Sequence, residues 1–190
     1  MQPVHADDIA PQAWRNGGGH TRELLTWPAG EQWSLRVSVA DIDADGPFSA
    51  FPGVQRWFVV VQGAGVELKF ADHLHRMTPD SEPVRFDGAD APGCTLLDGP
   101  TRDLNLMVRA GTGVMRVVQP GLDWVEPFEQ RGLFARVAGR LQLDQGPAIR
   151  VAARSLHWGL GSGPCRFTPD AAAAGSRASG WWLGHSSSLP

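Results

Sequence analysis

An all-β chain folded as a sandwich or barrel, with few or no long helices, is what this 190-residue sequence predicts. Three observations carry that expectation. Apolar side chains recur with a period of two, short apolar runs follow one another every 8 to 12 residues or so, and Gly (23) and Pro (15) together supply a fifth of the chain.

The elements follow in order. In Trp33-Ser34-Leu35-Arg36-Val37-Ser38-Val39-Ala40, the apolar Trp33, Leu35, Val37 and Val39 share one face and Ser34, Arg36 and Ser38 the other, which is a strand. The turn signals Asp45-Gly46-Pro47 and Pro52-Gly53 lead into Trp57-Phe58-Val59-Val60-Val61, a run of strand length with both faces apolar. Gln62-Gly63-Ala64-Gly65 then reverses the chain into Val66-Glu67-Leu68-Lys69-Phe70. Further short strands are expected at residues 74–77, 84–86, 95–97, 104–109, 114–118, 133–137, 140–143 and 148–151, separated by Gly, Pro or Asp. Composition shifts near residue 152. Beyond it the only acidic residue is Asp170 and the chain is rich in Ala, Gly and Ser, so 153–190 reads as irregular. It orders only if Trp158, Trp181 and Trp182 dock on the β body, with a helical turn around Ala171 to Ala174 as an addition.

Composition also narrows the function. Seventeen basic and twenty acidic side chains leave a net charge of -3, with no Lys/Arg run, which makes a poor nucleic-acid binder. No stretch reaches the roughly 18 apolar residues of a membrane span, and the start MQPVHADDIAP has neither the basic nor the apolar region of a signal peptide; a cytoplasmic protein is expected. Cys94 and Cys165 lie in no metal-binding spacing and read as reduced structural thiols. Every basic residue but Lys69 is arginine, which favours planar two-point contacts with anions wherever one is partly buried.

The most unusual string is Trp14-Arg15-Asn16-Gly17-Gly18-Gly19-His20-Thr21-Arg22-Glu23. Three glycines in a row suit either a nest of N-H groups facing an anion or, more simply, a flexible turn into the first strand. In Arg102-Asp103-Leu104-Asn105-Leu106-Met107-Val108-Arg109, alternation puts Asp103, Asn105, Met107 and Arg109 on one face, where they line a pocket or meet solvent. His73-Leu74-His75, with Asp80 beyond, has the i, i+2 spacing of a β-barrel metal site, but its setting reads better as a hairpin tip and no metal is expected there. No Gly-x-Ser-x-Gly elbow is present, and His5, His20, His157 and His185 are scattered.

Together with Asp45-Gly46-Pro47-Phe48-Ser49, Phe51-Pro52-Gly53, Arg56, Gly63-Ala64-Gly65 and Phe86-Asp87-Gly88, these strings resemble the HutD/Ves family over roughly residues 4 to 120. The resemblance implies a cupin-like β-barrel, a bicupin of two halves, that lacks the usual cupin metal ligands and cofactor. It also implies an association with histidine utilisation, through binding a small pathway intermediate such as urocanate or a formyl- or formimino-glutamate and moderating induction. On that basis residues 1–120 form the first half, 121–152 a divergent second half, and 153–190 the irregular end. The family's motifs fall on Asn16, Thr21, Glu23, Arg36, Ser38, Phe51, Arg56, Asp103, Asn105, Met107 and Arg109. The chain departs from them at Arg15, where the family carries lysine, and after residue 120, where the match is loose.

Two readings follow. One is a metal-independent binder of a small anionic metabolite, with arginines clamping a carboxylate, Arg36 and Arg109 foremost, and Asn16 and Asn105 fixing the rest. The other is a small isomerase or hydrolase using Glu23 or Asp103 as general base. A carboxylate beside an arginine is a weakened base, which favours the binder. A homodimer is the expected assembly.

Overall fold

The structure is a computed structural model that describes residues 3–30, 32–171 and 178–187. Its strands are β1 (Val4–His5), β2 (Gln12–Ala13), β3 (Gly19–Trp27), β4 (Leu35–Ile42), β5 (Gly46–Pro47) and β6 (Gln55–Gln62). They continue with β7 (Val66–Lys69), β8 (Leu74–Met77), β9 (Val84–Asp87), β10 (Gly93–Leu96), β11 (Thr101–Val108) and β12 (Thr112–Val117). The last are β13 (Gln130–Ala135), β14 (Gly139–Leu143), β15 (Ile149–Val151), β16 (Ser155–Trp158), β17 (Cys165–Pro169) and β18 (Gly180–Ser186). Two single turns of 3-10 helix, Ala6–Asp8 and Gly88–Asp90, accompany them. The all-β expectation holds, and each strand expected between residues 33 and 151 is present, with ends displaced by up to three residues.

The chain forms two compact units, Ile9–Ala110 and a second one made of the residues up to Asp8 with those from Gly111 onward. The chain passes from one unit to the other between Ala110 and Gly111, ten residues before the boundary expected at 120. The short β1 pairs with β16, so the N-terminal residues belong with the C-terminal half.

In the Ile9–Ala110 unit a six-stranded antiparallel sheet, β2-β3-β4-β11-β6-β9, accompanies a four-stranded one, β5-β10-β7-β8. Ile42, Phe58, Val60 and Phe86 of the larger sheet pack with Val66, Leu68, Met77 and Cys94 of the smaller one. The second unit pairs a five-stranded sheet, β1-β16-β13-β18-β12, with a three-stranded one, β15-β14-β17. Its core holds Leu133, Ala135, Leu141, Cys165 and Phe167, with Trp124 stacked on Trp182 at 5.3 Å. Arg131, 1% exposed, closes that interior by donating to the carbonyl oxygens of Trp124 (2.8 Å), Gly161 (2.9 Å) and Gly163 (2.6 Å).

Residues 155–158, 165–169 and 180–186 are strands, which corrects the irregular reading of 153–190. The aromatic side chains decide it. Trp181 is fully buried and Trp182 3% exposed, and burying their indole area opposes the entropy lost in ordering the surrounding Gly and Ser. The helical turn expected around Ala171 to Ala174 lies, Ala171 apart, outside the described residues.

Candidate functional site

The inner face of the six-stranded sheet is built by period-two alternation on register-matched strands. Arg36 of β4 stands opposite Met107 of β11, which stands opposite Arg56 of β6. One rung along, Glu23 of β3, Ser38, Asn105 and Phe58 form a second transverse row, and the next rung is Thr21, Ala40, Asp103 and Val60. The apolar core fills this face at the Ile42 and Val60 end. Toward Arg36 and Arg56 it opens into a cavity of about 430 Å³, walled by Trp14, Arg15 and Asn16 on one side and Phe48, Ser49 and Phe51 on the other.

Of the motif residues, Asn16, Thr21, Glu23, Arg36, Ser38, Phe51, Arg56, Asn105 and Met107 line this cavity. Asp103 and Arg109 are not among the residues that line it. Asp103 sits one rung deeper, fully buried. Thr101 Oγ1 donates to its Oδ2 at 2.8 Å while Oδ1 has no partner, and burial pushes its carboxyl well above the usual range, with Thr101 opposing and Asp41 adding. Arg109 follows the last residue of β11 and is exposed, its guanidinium 4.3 Å from the centre of the Trp33 ring.

Arg56 is the buried cation of the site. It is 6% exposed and lies over Phe48 (4.9 Å), Phe86 (5.1 Å) and Phe51 (5.8 Å). Its Nη2 donates to Asn105 Oδ1 at 2.9 Å and its Nη1 reaches Ser49 O at 3.5 Å. Burial first, and then Arg36, lower its pKa to about 10. Arg36 lies 5.5 Å from the ring centres of both Trp33 and Phe51, and its Nη1 is 3.9 Å from Glu23 Oε2. Burial lowers its pKa too, Glu23 opposing and Arg109 adding. The Nε of each arginine is buried without a partner. Three arginines against one carboxylate make the cavity electropositive, a donor set that suits an anion and repels a metal cation.

The glycine run has a structural role. Gly17 N donates to Trp14 O (3.0 Å) and Gly18 N to Asn16 Oδ1 (3.1 Å), so these N-H groups are spent within the loop and form no anion nest. Gly19 is required because a Cβ there would stand 2.2 Å from the Asp41 carbonyl oxygen on β4. The loop carries Trp14, whose Nε1 donates to Thr21 Oγ1 at 2.7 Å, into the cavity wall. Trp14, Phe48 and Phe58 were not among the expected site residues. Trp14 and Phe48 lie at aromatic positions of the motif strings and Phe58 in the apolar strand run after Arg56, all of which composition alone assigns to core filling.

His73 stacks on Phe70 (4.6 Å between ring centres) and contacts Asp72 at 2.6 Å, in the turn joining β7 to β8, as a hairpin tip should. Among the described residues no group of three or more His, Cys, Asp or Glu side chains gathers to hold a metal. Cys94 and Cys165 are free and buried, and burial, aided by Asp103 and Asp45, pushes the Cys94 thiol up to about 12. No helix among the described residues is long and apolar enough to cross a membrane.

The family model HutD matches residues 6–173. The chain belongs to the HutD family. It is 37% identical over 110 residues to an uncharacterised 21.2 kDa protein from the hutC 3' region of Pseudomonas putida, covering 56% of this chain and 57% of that one. It is 37% identical over 98 residues to protein Ves of Citrobacter koseri, covering 50% and 51%. The chain spans about half the length of the curated relatives it matches. A solved HutD of Pseudomonas fluorescens SBW25 superposes with a TM-score of 0.82 at 23% identity, covering 98% of each chain. A conserved protein of unknown function from Pseudomonas aeruginosa PAO1 gives 0.79 at 27% identity, also over 98% of each. An oxalate decarboxylase mutant of Bacillus subtilis gives 0.62 at 9% identity, covering all of this chain and 78% of that one. The HutD fold of this chain is thus cupin-like.

Proposed function

We propose that this HutD-family chain binds a small carboxylate in the cavity of its Ile9–Ala110 unit, without metal and without chemistry. The observation that carries this is the pairing of Arg36 and Arg56 in one cavity whose lining holds a single carboxylate, Glu23, among the described residues. A guanidinium presented to a cavity donates charge-assisted hydrogen bonds to an anion's oxygens, and Arg forms these in planar pairs. The aromatic rings around both cations hold them without neutralising them, so the positive charge stays available to a ligand. Both units are two-sheet β structures, which supports a bicupin architecture in which only one half is used for this ligand.

The name of the Pseudomonas putida relative, which places it beside hutC, supports a role in histidine utilisation. Such a role consists of sensing a pathway acid such as urocanate or a formyl- or formimino-glutamate and moderating the pathway's induction. Incubation with urocanate and with N-formylglutamate, followed by a thermal melt and analysis of the recovered acid, tests it. A raised melting temperature with the acid unchanged is the expected result. Conversion of either acid would replace binding with catalysis, with Glu23 as the one carboxylate placed in the cavity to act.

A further inference from the structure

We propose that Asn105 is the specificity-determining donor of the cavity, held in one orientation by Arg56, and that the ligand selected carries a neutral hydrogen-bond acceptor besides its carboxylate. The inference rests on the carboxylate reading above and names the second feature of the same ligand.

A guanidinium has N-H donors and no acceptor, so the Asn105 atom 2.9 Å from Arg56 Nη2 is the amide oxygen. That bond fixes the amide plane and leaves Nδ2 facing away from Arg56. Asn105 is 6% exposed and lines the cavity, and among the described residues nothing accepts a hydrogen bond from Nδ2. Nδ2 is therefore the donor this side chain offers to the cavity, and a ligand oxygen or ring nitrogen can accept from it. An ammonium has no lone pair to offer Asn105 Nδ2, and Glu23, the carboxylate among the described lining residues, already faces Arg36 Nη1 at 3.9 Å.

The register sets the spacing. Asn105 lies two residues along β11 from Met107, which stands between Arg36 and Arg56. The Arg56 side chain reaches across that row to within 2.9 Å of the Asn105 oxygen, so a carboxylate held by the Arg36 and Arg56 guanidinium groups has the rest of a short acid beside the Asn105 amide. Arg56 is thus a positioning residue as well as a charge. It holds the Asn105 oxygen out of the ligand's way.

Three acids of equal chain length test this: valerate, levulinate with a ketone acceptor, and 4-aminobutyrate with an ammonium. Calorimetric titration of the full chain at high ligand concentration should show levulinate about tenfold tighter than valerate and 4-aminobutyrate weakest. Asn105→Asp keeps an acceptor for Arg56 and replaces the donor over the cavity with a carboxylate, so 4-aminobutyrate should move ahead of levulinate. Asn105→Leu should bring levulinate and valerate level, with thermal melts reporting whether each variant is folded. Equal binding of valerate and levulinate by the unaltered protein, or a ranking that a folded Asn105→Asp leaves unchanged, overturns the proposal and leaves the carboxylate reading standing. Failure of the unaltered protein to bind any of the three overturns both.

Discussion

Arg56 and Arg109 are both arginines of the motif strings, yet the fold gives them opposite circumstances. Arg56 is buried among three phenylalanines in the cavity, and Arg109 is exposed over Trp33. Removing Arg56 should weaken carboxylate binding by tenfold to more than a hundredfold, roughly the 1.5 to 3 kcal/mol of a charged hydrogen bond. Arg56→Lys should restore only part of it, because an ammonium makes no planar two-point contact. Arg109→Ala should leave affinity nearly unchanged in the same titration. Asp103 sets a different test. Its folded pKa is raised, so the folded state binds the proton more tightly than the unfolded one. The stability this contributes is full below the ordinary carboxylate pKa near 3.8 and is lost as pH rises toward the folded value. Asp103→Asn should therefore melt close to the unaltered protein at acid pH and pull ahead as pH rises, by up to about 1.4 kcal/mol per pH unit within that window. Melting curves of the two proteins across pH check it, and a gap that stays constant would count against a neutral Asp103.

At the scale of elements, strands β4, β6 and β11 were legible because their apolar side chains alternate or run without a break. Strand β3 was not. Its sequence Gly-His-Thr-Arg-Glu-Leu-Leu-Thr-Trp is mostly polar, and a register shift between Glu23 and Leu25 breaks the period that would have marked it. The cavity residues of β4 and β11 could be grouped by face from the sequence. Whether that face met solvent or a lumen could not, since both accept polar side chains, and the register with β6 that brings Arg56 beside Arg36 has no local signature. Asp103 shared the face of Asn105 but lay beyond the cavity, a distinction that depends on where the smaller sheet's side chains fill the interior. The glycine string makes an element-level prediction. Gly19→Ala forces β3 off β4 and should lower the melting temperature well beyond Gly17→Ala, which faces open space and carries only the roughly 1–2 kcal/mol of a left-handed backbone at φ +72°. Equal losses would show that the β3–β4 contact is not what holds the loop.

For the whole molecule, the end of the chain is where composition misled. Gly, Ala and Ser outnumber apolar residues after residue 152, but the few that are apolar include tryptophans placed on strands. Strand β18 is an inner strand of the five-stranded sheet, paired with both β12 and β13. Truncation after residue 152 should therefore unfold the second unit rather than trim a tail, and residues 180–186 should resist limited proteolysis under native conditions. Mass analysis of the fragments and circular dichroism of the truncated chain report on this, and a truncated chain with unchanged β signal would contradict the placement of β18.

The claim at the centre of this account is that Arg36 and Arg56 together receive a carboxylate. The measurement that tests it most directly is a crystal structure of the protein with urocanate or N-formylglutamate bound. The account predicts a carboxylate group in the cavity with oxygens within hydrogen-bond distance of both guanidinium groups, against the Phe51 ring. An acid ordered in that cavity with its carboxylate turned away from both arginines, or ordered only elsewhere on the molecule, would contradict it.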